Sequence, residues 1–256
     1  MNINLDNKKI NFLFEDNFTI FELDNFLDDI NYDLIYNNFP SIPSLKFEKF
    51  ELEKNNKKFF INSREKIYEK IIKENIILNN FHNAIFSRKF FDFFYNNLKN
   101  KILLSRLNDY QFLFKIFKPI KLNNEKKIFD KFYTNIKTQI EFSYMFNQGK
   151  IVPHTDSRHK MLSLLIFFPE KNEDMILQEK FGTTFWSSPL KNINNEHLVC
   201  EKEIEFKKNS KILFQIPFIP KKLFGFIGNE NSWHSVEIFN LNKKYIRKSI
   251  NINFYF

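Results

Sequence analysis

The hydrophobic pattern of the chain changes character near residue 134. The first part reads as strand, helix, strand and then mostly helix. KINFLFE at 8–14 and FTIFE at 18–22 are short and rich in β-branched and aromatic residues, which suits strands. In DDINYDLIYNNFP the apolar residues Ile30, Leu34 and Ile35 recur at helical spacing, and Pro40 marks the stop. A further strand is expected at 57–62, KKFFIN, followed by helices with wide apolar faces over 63–73 and 78–99. The Phe-rich stripe of 85–95 reads as core, because an aromatic face at helical spacing more often packs than binds a cofactor.

After residue 134 the pattern becomes short runs separated by polar turns. TQIEFSYMF, IVPHTD, MLSLLIFF, GTTFW, KILFQIPF, KLFGFI, WHSVEIF and RKSININFYF are eight candidate strands. Their even spacing suggests an antiparallel sandwich or barrel, with two sheets facing each other across a pocket. The expected fold class is mainly β with α, and the expected organisation is one domain over 1–256. In it, 1–133 forms a mixed strand and helical part that supports the core, and 134–256 carries the main strands and the site. No repeat of fixed period interrupts this pattern.

Composition narrows the class. Apolar residues make up 43% of the chain and charged residues 27%, which excludes wholesale disorder and a membrane class. Phe is used 35 times and Gly only 4 times, alongside many Asn, Lys and Ile, a mix that looks like AT-rich codon usage. The net charge of +9 favours anionic partners. Lys and Glu nevertheless alternate, as in EKFELEKNNKK at 48–58, which reads as a solvated surface rather than a nucleic-acid footprint. Cys200 is the only cysteine, MNINLDNKK lacks the apolar core of a signal peptide, and no run approaches the roughly 18 apolar residues of a membrane span. A soluble, cytoplasmic protein without a membrane span is expected.

The candidate chemistry lies in the second part. Residues i and i+2 of an extended strand point to the same side, so His154 and Asp156 of VPHTDS can converge on one ion. A third ligand must come from elsewhere. His234 of SWHSV sits in a later strand, and facing sheets could bring it back beside the first pair. Two imidazoles and one carboxylate on one face of an octahedral ion leave three positions open, which suits iron(II) oxygen chemistry. An HxD pair alone is common by chance, and its weight comes from the apolar strand after it, the later histidine and Arg247 beyond that. The plainer readings are a surface-loop pair for His154 and Asp156 and a core histidine for His234. For Arg247 it is an exposed strand residue, since alternation lets only one of Arg247 and Lys248 face inward.

With these residues the chain resembles the prolyl-hydroxylase-like 2-oxoglutarate and iron(II)-dependent oxygenases. The family pattern of a strand, a glycine, HxD and an apolar strand is matched by Tyr144, Gly149, HTDS and MLSLLIFF, followed by the Gly-Thr strand GTTFW. It closes with KLFGFI, the turn GNENS, WHSV and RKS. FTIFELDNFLDDINYDLIYNNFPS is similar to the family's entry strand and first helix. The pattern covers most of 18–42 and 139–256 and leaves the segment between without a counterpart. The Gly-Gly doublet common in the family is reduced here to Gly182 followed by Thr183.

The resemblance implies a double-stranded β-helix, or jelly roll, flanked by N-terminal helices. It implies His154, Asp156 and His234 as ligands of iron(II), and Arg247 as the partner of the distal carboxylate of 2-oxoglutarate. Ser249 would add a hydroxyl donor on the same side of the strand, and Tyr144 another. Molecular oxygen would be the second cosubstrate. The implied activity is hydroxylation of a C–H bond in a small metabolite or polysaccharide precursor. The pocket would be walled by the N-terminal helices and the loop at 169–181, with Arg158 and His159 at its mouth, where substrate contact and plain solvation both stay open. His82, His197 and Cys200 have no partners at metal spacing and receive no role. The competing class is a jelly roll that binds a metal or a carbohydrate without catalysis. An oxygenase acting on nucleic acid would rest on the charge alone.

Overall fold

The computed structural model describes residues 3–16, 18–42, 58–125, 130–170, 181–190, 199–200, 202–237 and 245–256. Strands β1 (Asn11–Glu15) and β2 (Thr19–Leu23) come first, then helix α1 (Asp29–Asn37) and strand β3 (Lys58–Asn62). Helices α2 (Lys66–Glu74), α3 (Ile76–Ile85), α4 (Arg88–Leu104) and α5 (Tyr110–Ile116) follow, with the short strand β4 (Ile120–Leu122). The second part consists of β5 (Thr134–Phe146), β6 (Ile151–His154), β7 (Lys160–Phe168), β8 (Thr183–Ser187), helix α6 (Glu203–Asn209), β9 (Lys211–Ile216), β10 (Leu223–Ile227), β11 (Trp233–Val236) and β12 (Ile246–Tyr255). Each of the eight runs expected after residue 134 forms a strand. The end of WHSVEIF, the part of the loop at 171–180 and His197 lie outside the described residues.

Side chains that compete for backbone hydrogen bonds set the helix boundaries. The stretch 78–99, read as one helix from its apolar pattern, belongs to two. Ser87 sits between them, its Oγ accepting from the Phe90 N–H at 3.2 Å while donating to the Ala84 carbonyl at 2.7 Å. Asn75 separates α2 from α3 in the same way, accepting from the N–H groups of Ile77 and Leu78. In α1 the buried residues are Tyr32 and Ile35, whereas Ile30 is exposed.

The strand order is that of a double-stranded β-helix. Counting from β5 to β12, successive strands are shared between two sheets: β10-β7-β12-β5 in the larger and β6-β11-β8-β9 in the smaller. The larger sheet is extended by β2 and β1 beyond β10 and by β3 beyond β5, and β4 pairs in parallel with β5. A long antiparallel ladder anchors it, with β12 paired to β5 from Ile246↔Phe146 to Tyr255↔Lys137.

Alternation along these strands separates two environments. One face of β12 and β7 buries Ile250, Ile252, Phe254, Leu162, Leu164, Ile166 and Phe168 against the helices, in a cluster that includes Phe90, Phe91 and Phe94 of α4. Full burial of each such side chain contributes roughly 1.5–3 kcal/mol, so the Phe-rich stripe is core, as its spacing suggests. The opposite face looks between the sheets. At one end it meets a second apolar cluster that includes Phe167, Phe185, Phe218, Phe224 and Phe226. Among the described residues no helix is long and apolar enough to cross a membrane.

Gly182 is required where β8 begins. A Cβ built there would lie 1.5 Å from the backbone oxygen of Ile216 on β9, and backbone has no rotamer with which to move aside. Gly182→Ala is therefore expected to lower stability by about 1–3 kcal/mol or more through overpacking. Urea unfolding of the two proteins, monitored by tryptophan fluorescence, measures the difference.

Candidate active site

The small sheet brings two of the histidines together by register. β6 and β11 are antiparallel neighbours in which His154 and His234 are direct partners, and their rings lie 4.2 Å apart between centroids. The expectation that facing sheets would deliver the third ligand is corrected here: both histidines stand on adjacent strands of one sheet. Asp156 lies just past the end of β6. The candidate ligand atoms of His154, Asp156 and His234 all fall within 4.8 Å of one another.

Both imidazoles are oriented by backbone carbonyls. His154 Nδ1 lies 3.0 Å from the Val152 oxygen and His234 Nδ1 lies 2.9 Å from the Ser232 oxygen. A carbonyl only accepts, so each Nδ1 carries the proton and donates it, which leaves Nε2 as the metal-binding nitrogen. The carboxylate is held as well. Asp156 Oδ1 accepts from Lys160 Nζ at 2.6 Å, and Oδ2 accepts from Ser163 Oγ at 3.1 Å. Outer partners of this kind fix ligand direction before a metal arrives.

Burial and charge put His154 and Asp156 in the protonation states a metal needs. Burial, with a smaller contribution from His234, pushes the His154 pKa down to about 3, so the ring is neutral. Burial alone would raise the Asp156 carboxyl, but the charge and hydrogen bond of Lys160 foremost outweigh it and hold the group below its ordinary value. The same burial works against the Lys160 ammonium and is overcome mainly by Asp156, so its pKa is raised.

A cavity of about 170 Å³ opens onto these ligands, with Arg247, Ser249, Asn251, Asn253 and Tyr255 of β12 along one wall. They are every second residue of the strand, the inward set, while Lys248 points outward over the rings of Tyr36 and Phe39. Arg247 is 4% exposed. Its Nε donates to the Phe181 carbonyl at 2.5 Å, and its guanidinium lies 5.0 Å and 4.8 Å from the ring centres of Phe167 and Phe218. Burial pushes its pKa down to about 10, which leaves it a cation at neutral pH. Ser249, also lining the cavity, is 3.2 Å from Asn251 Oδ1.

Other expected site residues lie elsewhere. Tyr144 is on the opposite face of β5, in the core against the helices, with its hydroxyl donating to the Pro40 carbonyl at 2.5 Å. It therefore offers no donor to the cavity. Its neighbour Ser143, paired with Ser249 across the ladder, lines the cavity in its place. Arg158 and His159 border a separate shallow groove with Asp109, Lys115 and Phe256. His82 accepts or donates a 2.9 Å hydrogen bond with Tyr68 among the helices. Cys200 packs beside Trp186, Phe206 and Trp233.

Lys160, Ser163, Asn251 and Asn253 are site residues that motif reading passed over. Ser163 carries a signal in the sequence, as the one polar residue inside MLSLLIFF. Continuing the i, i+2 count from Arg247 would have reached Asn251 and Asn253.

No protein family matches the sequence, and no curated protein matches it significantly. Similar solved structures include a Pseudomonas putida prolyl-4-hydroxylase, 11% identical with a TM-score of 0.38, covering 92% of this chain and 91% of that one. The α-ketoglutarate-dependent epimerase SnoN of nogalamycin biosynthesis is 10% identical with a TM-score of 0.44, over 92% of this chain and 76% of its own. HygX of Streptomyces hygroscopicus, solved with nickel and 2-oxoglutarate bound, is 6% identical with a TM-score of 0.44, over 92% and 82%. At these identities and scores a likeness says nothing about activity, and the residues themselves have to carry the functional reading.

The depressed His154 pKa has a consequence for stability in the metal-free protein. The unfolded chain takes up a proton at this ring near the ordinary value of 6.5, and the folded one does so only near 3. The stability linked to His154 is thus fully present above about 6.5 and is lost as the pH falls toward 3. In chelator-treated protein the Tm should fall between pH 7 and pH 5, and His154→Gln should flatten that slope; scanning calorimetry at several pH values compares the two.

Proposed function

We propose that this chain is an iron(II)- and 2-oxoglutarate-dependent oxygenase that hydroxylates a C–H bond of a small metabolite or polysaccharide precursor. The observation that supports it most is one cavity shared by a two-histidine, one-carboxylate donor set and a buried guanidinium that no described carboxylate neutralises.

The donor set suits iron(II). Neutral imidazole nitrogens and a carboxylate oxygen bind it well, and three protein ligands on one side leave room for cosubstrate and oxygen. His154, Asp156 and His234 would hold the metal. When bound, iron(II) together with 2-oxoglutarate supplies oxygen activation coupled to oxidative decarboxylation. The protein's own residues do the placing. Arg247 lines the cavity with its Nε tied to Phe181, and its guanidinium is a fork that matches the two oxygens of a carboxylate. The flanking rings of Phe167 and Phe218 hold that fork in one plane. Ser249 stands one inward position further on and can turn its hydroxyl to the same anion. Leu165, Ile151, Phe226 and Val236 line the remaining wall and keep bulk water from the reacting atoms. The cavity holds only roughly half a dozen waters' worth of space, which favours a substrate that inserts one small group.

Purified protein supplied with iron(II), ascorbate and 2-oxoglutarate in air should form succinate slowly even without substrate. His154→Ala and Asp156→Ala should lower that rate at least about 100-fold. Arg247→Met should raise the KM for 2-oxoglutarate by about 10- to 100-fold, the worth of a charge-assisted carboxylate contact, while leaving metal binding in place. Succinate formation that survives Asp156→Ala would show the ligand assignment to be wrong.

A further inference from the structure

The outer partners of the metal ligands are joined by one residue that belongs to neither sheet. Arg106 lies two positions past the end of α4 and is 6% exposed. Its Nε and Nη2 donate to the Gly228 carbonyl at 3.1 Å and 2.8 Å, and Nη2 also donates to the Lys160 carbonyl at 2.8 Å. Nη1 donates to the Arg158 carbonyl. The ring of Phe112 lies 4.8 Å from the guanidinium carbon.

Those three carbonyls belong to the two segments that orient the ligands. Lys160 is the residue whose ammonium meets Asp156, and Arg158 sits between the two. Gly228 opens the turn that ends at Ser232, whose carbonyl accepts from His234 Nδ1. The turn also packs on Asp156, since a Cβ at Gly228 would lie 3.7 Å from the Asp156 Cβ.

We infer that Arg106 is a positioning residue of the metal centre: its guanidinium ties the segment after Asp156 to the turn before His234, and so fixes these two ligands relative to each other before metal binds. The inference rests on the metal-centre reading above. A planar fork with five donors suits three carbonyls on two separate segments, and a guanidinium keeps its charge when buried. The carboxylates whose charge the guanidinium feels are Asp109 first, then Asp156 and Glu230. A simple loop staple would serve folding alone. A positioning residue has to alter the metal as well.

Cobalt(II) is the probe, titrated calorimetrically and by its visible absorption, against wild type, Arg106→Met, Arg106→Lys and Leu98→Ala. Leu98 is fully buried on α4 and serves as a control for lost stability at a distance from the ligands. Wild type should bind one cobalt. Arg106→Met should lose about 10- to 100-fold in affinity, the usual effect of deleting an outer-shell partner, and shift the absorption band. Arg106→Lys should fall between, and Leu98→Ala should lose Tm but keep wild-type affinity and spectrum. If Arg106→Met does not fold, Arg106→Lys decides by the same two readouts. Wild-type affinity and spectrum in the Arg106 variants overturn the inference, as does an equal loss in Leu98→Ala. No cobalt uptake by wild type overturns the metal reading itself, and the role of Arg106 with it.

Discussion

Everything at the site depends on the register between β6 and β11. His154 stands opposite His234 because of how these two strands are aligned, with Val236 opposite Ile151 beyond an irregularity, and a slip of one residue would turn one imidazole to the other face of the sheet. β11 is not free to slip. It is paired on its other side with β8, where Trp233, His234 and Ser235 face Trp186, Phe185 and Thr184. Trp186 Nε1 donates to Ser235 Oγ at 2.8 Å and Trp233 Nε1 to the Leu190 carbonyl at 2.9 Å, so the two indoles can be buried only in this alignment. The bulky aromatic residues beside the ligand are thus what fix it.

The two sheets divide the work. The small sheet supplies the histidines and the start of the segment that carries Asp156. The large sheet supplies what surrounds them: Lys160 and Ser163 on β7, and the inward row of β12. Neither sheet alone makes a site, because a ligand without its outer partner is badly aimed and an anion anchor without a metal beside it has no chemistry to perform. The helices enter this arrangement from outside. α4 packs its phenylalanines on the back of the large sheet and, just past its end, delivers Arg106 to the loops between the sheets.

What the sequence disclosed followed from periodicity, and what it concealed followed from strand order. The eight strands after residue 134 were legible because each is a short apolar run bounded by turn residues. Alternation also posed the right question for Arg247 and Lys248, and the ladder places the arginine inward. The same rule, applied to β5, would have rejected Tyr144: with Ser143 facing Ser249, its neighbour must face the helices. Tyr144 has its position in the family motif in its favour and its parity on the strand against it. The expectation of facing sheets for His154 and His234 went wrong because spacing along a chain does not say which strands are neighbours. The break at Ser87 was missed because one hydroxyl, not the apolar pattern, ends α3. Arg106 left no trace at all, since its partners are carbonyls, and a carbonyl has no residue type.

The charges lining the cavity point to a candidate anion anchor without reference to any motif. Lys58, Lys160 and Arg247 are the cations that line it among the described residues. Lys58 lies 3.1 Å from Glu141, and Lys160 lies 2.6 Å from Asp156, so each already has a carboxylate. Among the described residues Arg247 is held instead by a carbonyl and two aromatic faces, and no described carboxylate meets its charge. Burying a cation without a counter-ion is costly to a fold, by several kcal/mol even after relaxation. A protein that carries such a group at the bottom of a cavity gains from it only when an anion enters. Under the proposed function the candidate metal ligands lining the same cavity constrain that anion too: its other end would share a space with two imidazoles and a carboxylate, which suits a short dicarboxylate with a chelating end better than a lone phosphate or acetate.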